Sequence, residues 1–192
     1  MRFKGGVAWE VRWGRELEVD TALYIRDALA LPVEPDQWLP PVEPAVPVSV
    51  PPGVDRAGVQ REWPAWWAEV LEFARFQRDV EPARLLGARP SQALVEGSAL
   101  HTAIAAFQGQ AARHSDGAHP PRLSMNITDL VREFEGIRGR RANPFKLVVT
   151  EVSVAGHVWR RLAEDHVLVS VRFADDEGVF GTALRRLLRE LV

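Results

Sequence analysis

The chain has no cysteine. Disulfides, thiolate metal sites and a cysteine nucleophile are therefore excluded. Lysine is nearly missing too, since Lys4 and Lys146 stand alone against many arginines; with the Ala, Val and Pro bias this suggests a high-GC bacterial source. Neither sign of charge dominates: 24 Lys and Arg face 26 Asp and Glu, a formal net charge of −2. No global field recruits nucleic acid or a membrane surface at that balance. No segment approaches the roughly 18 consecutive apolar residues of a membrane helix. The N-terminal MRFKGGVAWEVRWGRE lacks the continuous apolar core of a signal peptide. A cytoplasmic protein without membrane association is the expectation. GxSxG, Walker A and GxGxxG patterns are all missing, so no nucleophile elbow or phosphate loop is expected. No catalytic set, metal site or cofactor is assigned.

What is present begins with Pro32 to Pro52, PVEPDQWLPPVEPAVPVSVPP, which holds eight of the fourteen prolines and no glycine. Proline removes the backbone donor and fixes φ, so this tract is neither helix nor inner strand. Pro41, Pro44 and Pro47 recur every third residue, the period of polyproline II. Val42, Ala45 and Val48 then share a second, apolar edge. A free spacer has no reason to keep such an edge, so the tract reads as an extended arm laid on its own chain, with Trp38 buried beneath it. A docking ligand for another protein is the alternative, although the basic flank usual for such ligands is missing.

The apolar patterning predicts an α+β fold (mixed α/β): a small helix-covered sheet with a C-terminal β-hairpin and helix, an N-terminal hairpin, two middle helices and the proline arm. A single domain over 1–192 is expected, organised as 1–31, 32–53, 54–113 and 123–192. Val7, Trp9, Val11 and Trp13 alternate with polar residues, the period of a half-buried strand, and Leu17 to Val19 are expected to pair back on it. Asp20 reads as the cap of a helix to Leu31. Pro64 suits the first turn of a helix carrying Trp66, Trp67, Val70, Leu71, Phe73, Ala74 and Phe76. A short turn is expected at Glu81 to Leu86, then a helix from Ser91 or Ser98 to about Arg113, then a loop over 114–122. Leu123, Met125 and Ile127 suggest a short strand. Asn126 or Thr128 caps a helix with Leu130, Val131, Phe134 and Ile137 inward. Phe145 to Val154 is apolar on both faces, as in a central strand. Val158–Leu162 and His166–Phe173 form a hairpin of undecided register, and Asp175 or Asp176 caps a last helix with a leucine stripe.

Candidate functional residues are few. Six of seven tryptophans precede residue 68, and Trp63, Trp66 and Trp67 cluster. Trp63 and Trp66 are candidate binding residues, since indole faces anchor partners, but a core role fits their apolar neighbours. Arg138, Arg140 and Arg141 form a basic run suited to phosphate or an acidic partner, and Arg160 and Arg161 are expected to join it across the sheet. A solvated loop explains the run as well. His101, His157 and His166 are the only acid–base candidates, and His157 and His166 are expected to approach each other across the hairpin. The leading function is a non-catalytic interaction or assembly protein with a protein partner or self-association. The alternatives are a small enzyme built from dispersed His and carboxylates, and phosphate or nucleic-acid binding through the Arg patch, nucleic acid being the weaker.

Overall fold

The computed structural model describes residues 2–5, 9–35, 38–76, 95–117 and 127–191. They show an α+β fold with six helices and a five-stranded mixed sheet among the described residues. Contacts cluster into two compact units that interleave along the chain. The first comprises 1–15, 119–152 and 156–192; the second comprises 16–118 and 153–155. The proline tract lies inside the second unit and marks no boundary between units.

The sheet belongs to the first unit. Its strands are β1 (Arg2–Gly5), β2 (Trp9–Gly14), β3 (Phe145–Val152), β4 (Trp159–Ala163) and β5 (His166–Ser170), in spatial order β1-β2-β3-β5-β4. β2 pairs parallel with β3, and β3 parallel with β5, while β1 and β4 run antiparallel at the two edges. Phe145–Val152 is thus central, in keeping with its apolar content on both faces. The chain leaves β3, forms β4 at the edge and returns as β5 between them. Trp9, Val11 and Trp13 are buried in step with Leu147, Val149, Val167 and Val169. This period-two face meets α4 (Ile127–Arg138), α5 (Val171–Asp175) and α6 (Glu177–Leu191) in one core. α6 delivers Phe180, Leu184, Leu187 and Leu188 at helical spacing, and the Asp176 carboxylate caps it by accepting the Val179 N–H at 3.0 Å.

The second unit packs α1 (Leu17–Ala28), α2 (Arg56–Phe76) and α3 (Ala99–Gly117) on one another. α2 and α3 approach closely at Gly58, where a Cβ would lie 2.5 Å from the Ala99 Cβ. α1 ends in a Schellman motif: Leu31 N–H reaches Arg26 C=O at 2.8 Å and Ala30 N–H reaches Asp27 C=O at 3.0 Å. Ala30 holds the left-handed position there, with φ 47°.

The arm is held by its backbone. Arg26, 3% exposed, donates to Leu39 C=O at 3.0 Å and Pro40 C=O at 2.8 Å. Asp27, paired with Arg26, accepts the Val42 N–H at 2.6 Å. Val42 bridges Val154, with Glu43 N–H on Ser153 C=O and Ala155 N–H on Pro41 C=O. Ser49 N–H reaches Ala28 C=O at 2.7 Å. Leu39 and Val42 are buried.

Several expectations are corrected. Trp38 is 58% exposed and Val48 is 67% exposed, so the Val42–Ala45–Val48 edge does not dock as a unit. A three-residue period needs an unbroken polyproline II run, and the backbone bends at Glu43 and Pro44, just after the bridge at Val42. Leu17–Val19 begin α1, and β2 pairs instead with β1. Asp20 does not cap α1; its carboxylate accepts the Ser115 hydroxyl at 2.6 Å. Pro64 sits inside α2, which starts a full two turns earlier. Residues His114 to Gly117 continue α3 instead of forming a loop. Ile137 is 72% exposed, one turn past the last inward position of α4. Ile127 opens α4 instead of ending a strand, and residues 171–173 are helical because the Ser170 hydroxyl accepts the Phe173 N–H and caps α5. Expectations at Val7, Glu81 to Leu86, Ser91, residues 118–122, Leu123, Met125 and Asn126 lie outside the described residues.

Candidate functional site

The first unit carries an open groove of about 610 Å³. It lies between β4 and α6. β4 contributes Trp159 and Arg161, which share a face because strand side chains alternate. α5 contributes Phe173. α6 contributes the row Gly178, Val179, Thr182, Ala183, Arg186, Leu187 and Glu190, which recurs at the three- and four-residue spacing of one helix face. Trp159 and Phe173 form an aromatic floor, backed by the buried Phe180 of the core, with centroids 5.5–6.4 Å apart. Val179 is 44% exposed, an apolar side chain presented to solvent on the wall.

The ends of the groove differ. At one end the Ser170 hydroxyl organises the entry to β4. It accepts from Val158 N–H at 2.9 Å and Phe173 N–H at 3.2 Å and donates to Gly156 C=O at 2.8 Å. At the other end Arg161 is clamped: its guanidinium meets the Glu190 carboxylate at 2.6 Å and the Glu164 C=O at 3.2 Å. Arg138 reaches the same helical turn and donates to Arg189 C=O at 2.8 Å, where a cation complements the helix C-terminus. Arg186 on α6 adds a second arginine to the groove lining, where Glu190 is the one acid.

The sequence-derived candidates distribute differently. Trp63 is 1% exposed and Trp66 is 4% exposed, so neither offers an indole face to a partner. Trp63 stacks on Trp67 at 5.4 Å and donates its Nε1–H to Ala22 C=O at 3.0 Å, a core role in the second unit. The basic run does not converge: Arg138 turns to α6, Arg140 bonds Asn143 Oδ1 at 3.0 Å, and Arg141 is exposed. Arg161, expected to join the run, pairs instead with Glu190 at the last turn of α6. His101 is exposed on α3 and His157 is exposed before β4. His166 is 2% exposed and shares a hydrogen bond of 2.9 Å with the Thr150 hydroxyl. The register sets Ala163 opposite His166 and Val169 opposite Trp159, so His157 and His166 lie at opposite ends of the hairpin. Among the described residues no group of three His, Asp or Glu is placed to hold a metal ion, and no helix is long and apolar enough to cross a membrane.

The groove was not foreseen from the sequence. Its signal was present in Trp159, the one tryptophan outside the N-terminal cluster, and in the Gly178–Val179 and Thr182–Ala183 pairs beside the leucine stripe. No protein-family model matches the chain, and no curated protein or solved structure matches it.

Proposed function

We propose that the protein is a non-catalytic interaction protein and that the β4–α6 groove receives its partner. The observation that carries this is the exposed Val179 on the wall above a floor holding the half-buried Trp159, beside a sheet edge and in a cleft open to solvent. Apolar side chains left exposed in a rimmed cleft mark binding surfaces. The charged groups of the groove are its rim, Arg161 with Glu190 and Arg186, and they suit orientation of a ligand better than proton transfer. The histidines expected to serve an enzyme lie apart, and the Arg138–Arg141 run does not converge, so the two other readings draw no comparable support.

Random decapeptides displayed on phage and selected against the full chain test this reading. Selected peptides should shift the Trp159 indole resonance. They should bind Val179→Glu at least tenfold more weakly, because a charge then stands on the apolar wall. Val179 is exposed, so the variant should keep the wild-type melting temperature. Selected peptides that bind Val179→Glu equally well and leave Trp159 unmoved would refute the proposal, as would a selection that yields no binder.

A further inference from the structure

Resting on that reading, we infer that the partner is an extended segment, flanked by acidic residues, that adds a strand to β4. β4 is the last strand of the sheet, and among the described residues no strand pairs with its outer side. Ser170 N–H donates to Val158 C=O at 3.0 Å. In an antiparallel ladder, main-chain groups alternate between facing the partner and facing away. With Arg160 opposite Leu168, residues 158 and 160 therefore turn their groups to β5. Trp159 and Arg161 turn theirs to the free edge. The same two residues send their side chains into the groove. A segment that bonds to their main chains thus places every second side chain in the cleft against α6. Recognition by strand addition works in this way, with main-chain bonds for affinity and a pocket for selectivity. The register shift between Arg161 and Ala163 ends the regular edge, so the added strand is short.

Charge selects the occupant. Arg161 and Arg186 line the cleft against one acid, Glu190, which Arg161 pairs, so Arg186 leaves the lining with a positive charge, and Arg138 reaches the Arg189 C=O at the same end of α6. A second copy of this chain is disfavoured. Antiparallel pairing of β4 with its own copy about Arg160 would set Arg160 directly against Arg160, and like charges across a ladder repel. An acidic segment meets the opposite sign.

The probe is acetyl-Glu-Val-Glu-Leu-Glu-Val-Glu-amide, titrated into the full 15N-labelled chain. We expect shifts at Trp159, Arg161 and Val179, and a Kd at least tenfold tighter than for the same peptide with Lys in place of Glu. Arg186→Glu should erase or invert that preference. N-methylation of the peptide at one parity of residues should abolish binding, and at the other parity should leave it, because only alternate N–H groups face β4. Two N-methyl isomers that bind alike would overturn strand addition while the groove itself stands. A Lys peptide that binds as well as the Glu peptide would overturn the acidic partner. If phage-selected peptides bind at Val179 and the acidic probe does not, this inference alone fails; if neither binds, the groove reading fails with it. A dimer seen by sedimentation and lost on Arg160→Glu would overturn the inference in favour of a second copy.

Discussion

Replacing Arg26 with Met should release the proline arm from α1. Met keeps most of the buried stem and removes the guanidinium. Arg26 is 3% exposed and donates to Leu39 C=O and Pro40 C=O. It also pairs with Asp27, whose other oxygen holds the Val42 N–H. A hydrogen bond to a charged group is worth about 1.5–3 kcal/mol. The two carbonyls regain water once the arm lifts, so the losses act on arm opening more than on the helices. Lowering the opening free energy by about 3 kcal/mol is expected from the two bonds together, at the low end of that range. At tenfold per about 1.4 kcal/mol this is on the order of 100-fold. Native-state hydrogen exchange reads it directly. The amides of Val42, Glu43 and Ala155 are bonded only while the arm is seated, and they should exchange about 100-fold faster in the variant. Thermolysin should cut within 38–50 of the variant and spare the wild type. Val48→Ala serves as the control, because Val48 lies on the same arm and is 67% exposed. Exchange at Val42 and Glu43 within threefold of wild type in Arg26→Met would refute the assignment of Arg26 as the clasp.

Ala30→Gly should stabilise the protein, because an L-residue in the left-handed region costs about 1–2 kcal/mol and the added freedom of glycine in the unfolded chain takes back about 0.5–1 kcal/mol. The net gain of about 0.5–1 kcal/mol should appear as a higher urea midpoint, and a lower midpoint would contradict the Schellman geometry at φ 47°. Ser170→Ala should cost about 2–3 kcal/mol, since the fully buried hydroxyl serves three main-chain groups and two amides lose their acceptor. Urea unfolding followed at Trp159 measures it, and a loss below about 0.5 kcal/mol would show that another group takes over at the β4 entry.

The elements that were legible share one property: their signal is local. Val11 and Trp13 alternate with polar neighbours, and the strand forms there. The leucine stripe from Phe180 to Leu188 has helical spacing, and α6 buries it. Asp176 caps α6 because a carboxylate just before a helix meets free N–H groups whatever surrounds it. Expectations failed where a residue had a distant competitor. Asp20 has the chemistry of a cap, but Ser115, 95 positions away, takes its carboxylate. Pro64 is a good helix start, yet Trp63, Trp66 and Trp67 share one buried run that carries α2 through it. The candidate site follows the same division. Trp63 and Arg138 stand out in composition, but a partner 41 or 51 positions away decides what each does.

By itself the sequence determined the α+β class, the central strand, the amphipathic last helix and the exclusion of thiol chemistry. It also determined that the described part of the proline tract forms neither helix nor inner strand, because proline constrains its own φ and its own donor wherever it stands. Only the tertiary structure decided that the tract is clasped through Arg26 and Asp27, and not through its apolar edge. Only it decided that β4 lies outside β5 at the sheet edge, and that Trp159 and α6 leave a cleft between them. The reason is the same in each case. A periodicity names the face a residue shares with its near neighbours, whereas a clasp, an edge or a cleft is defined by which remote segment comes to lie opposite, and that depends on the packing of the whole unit.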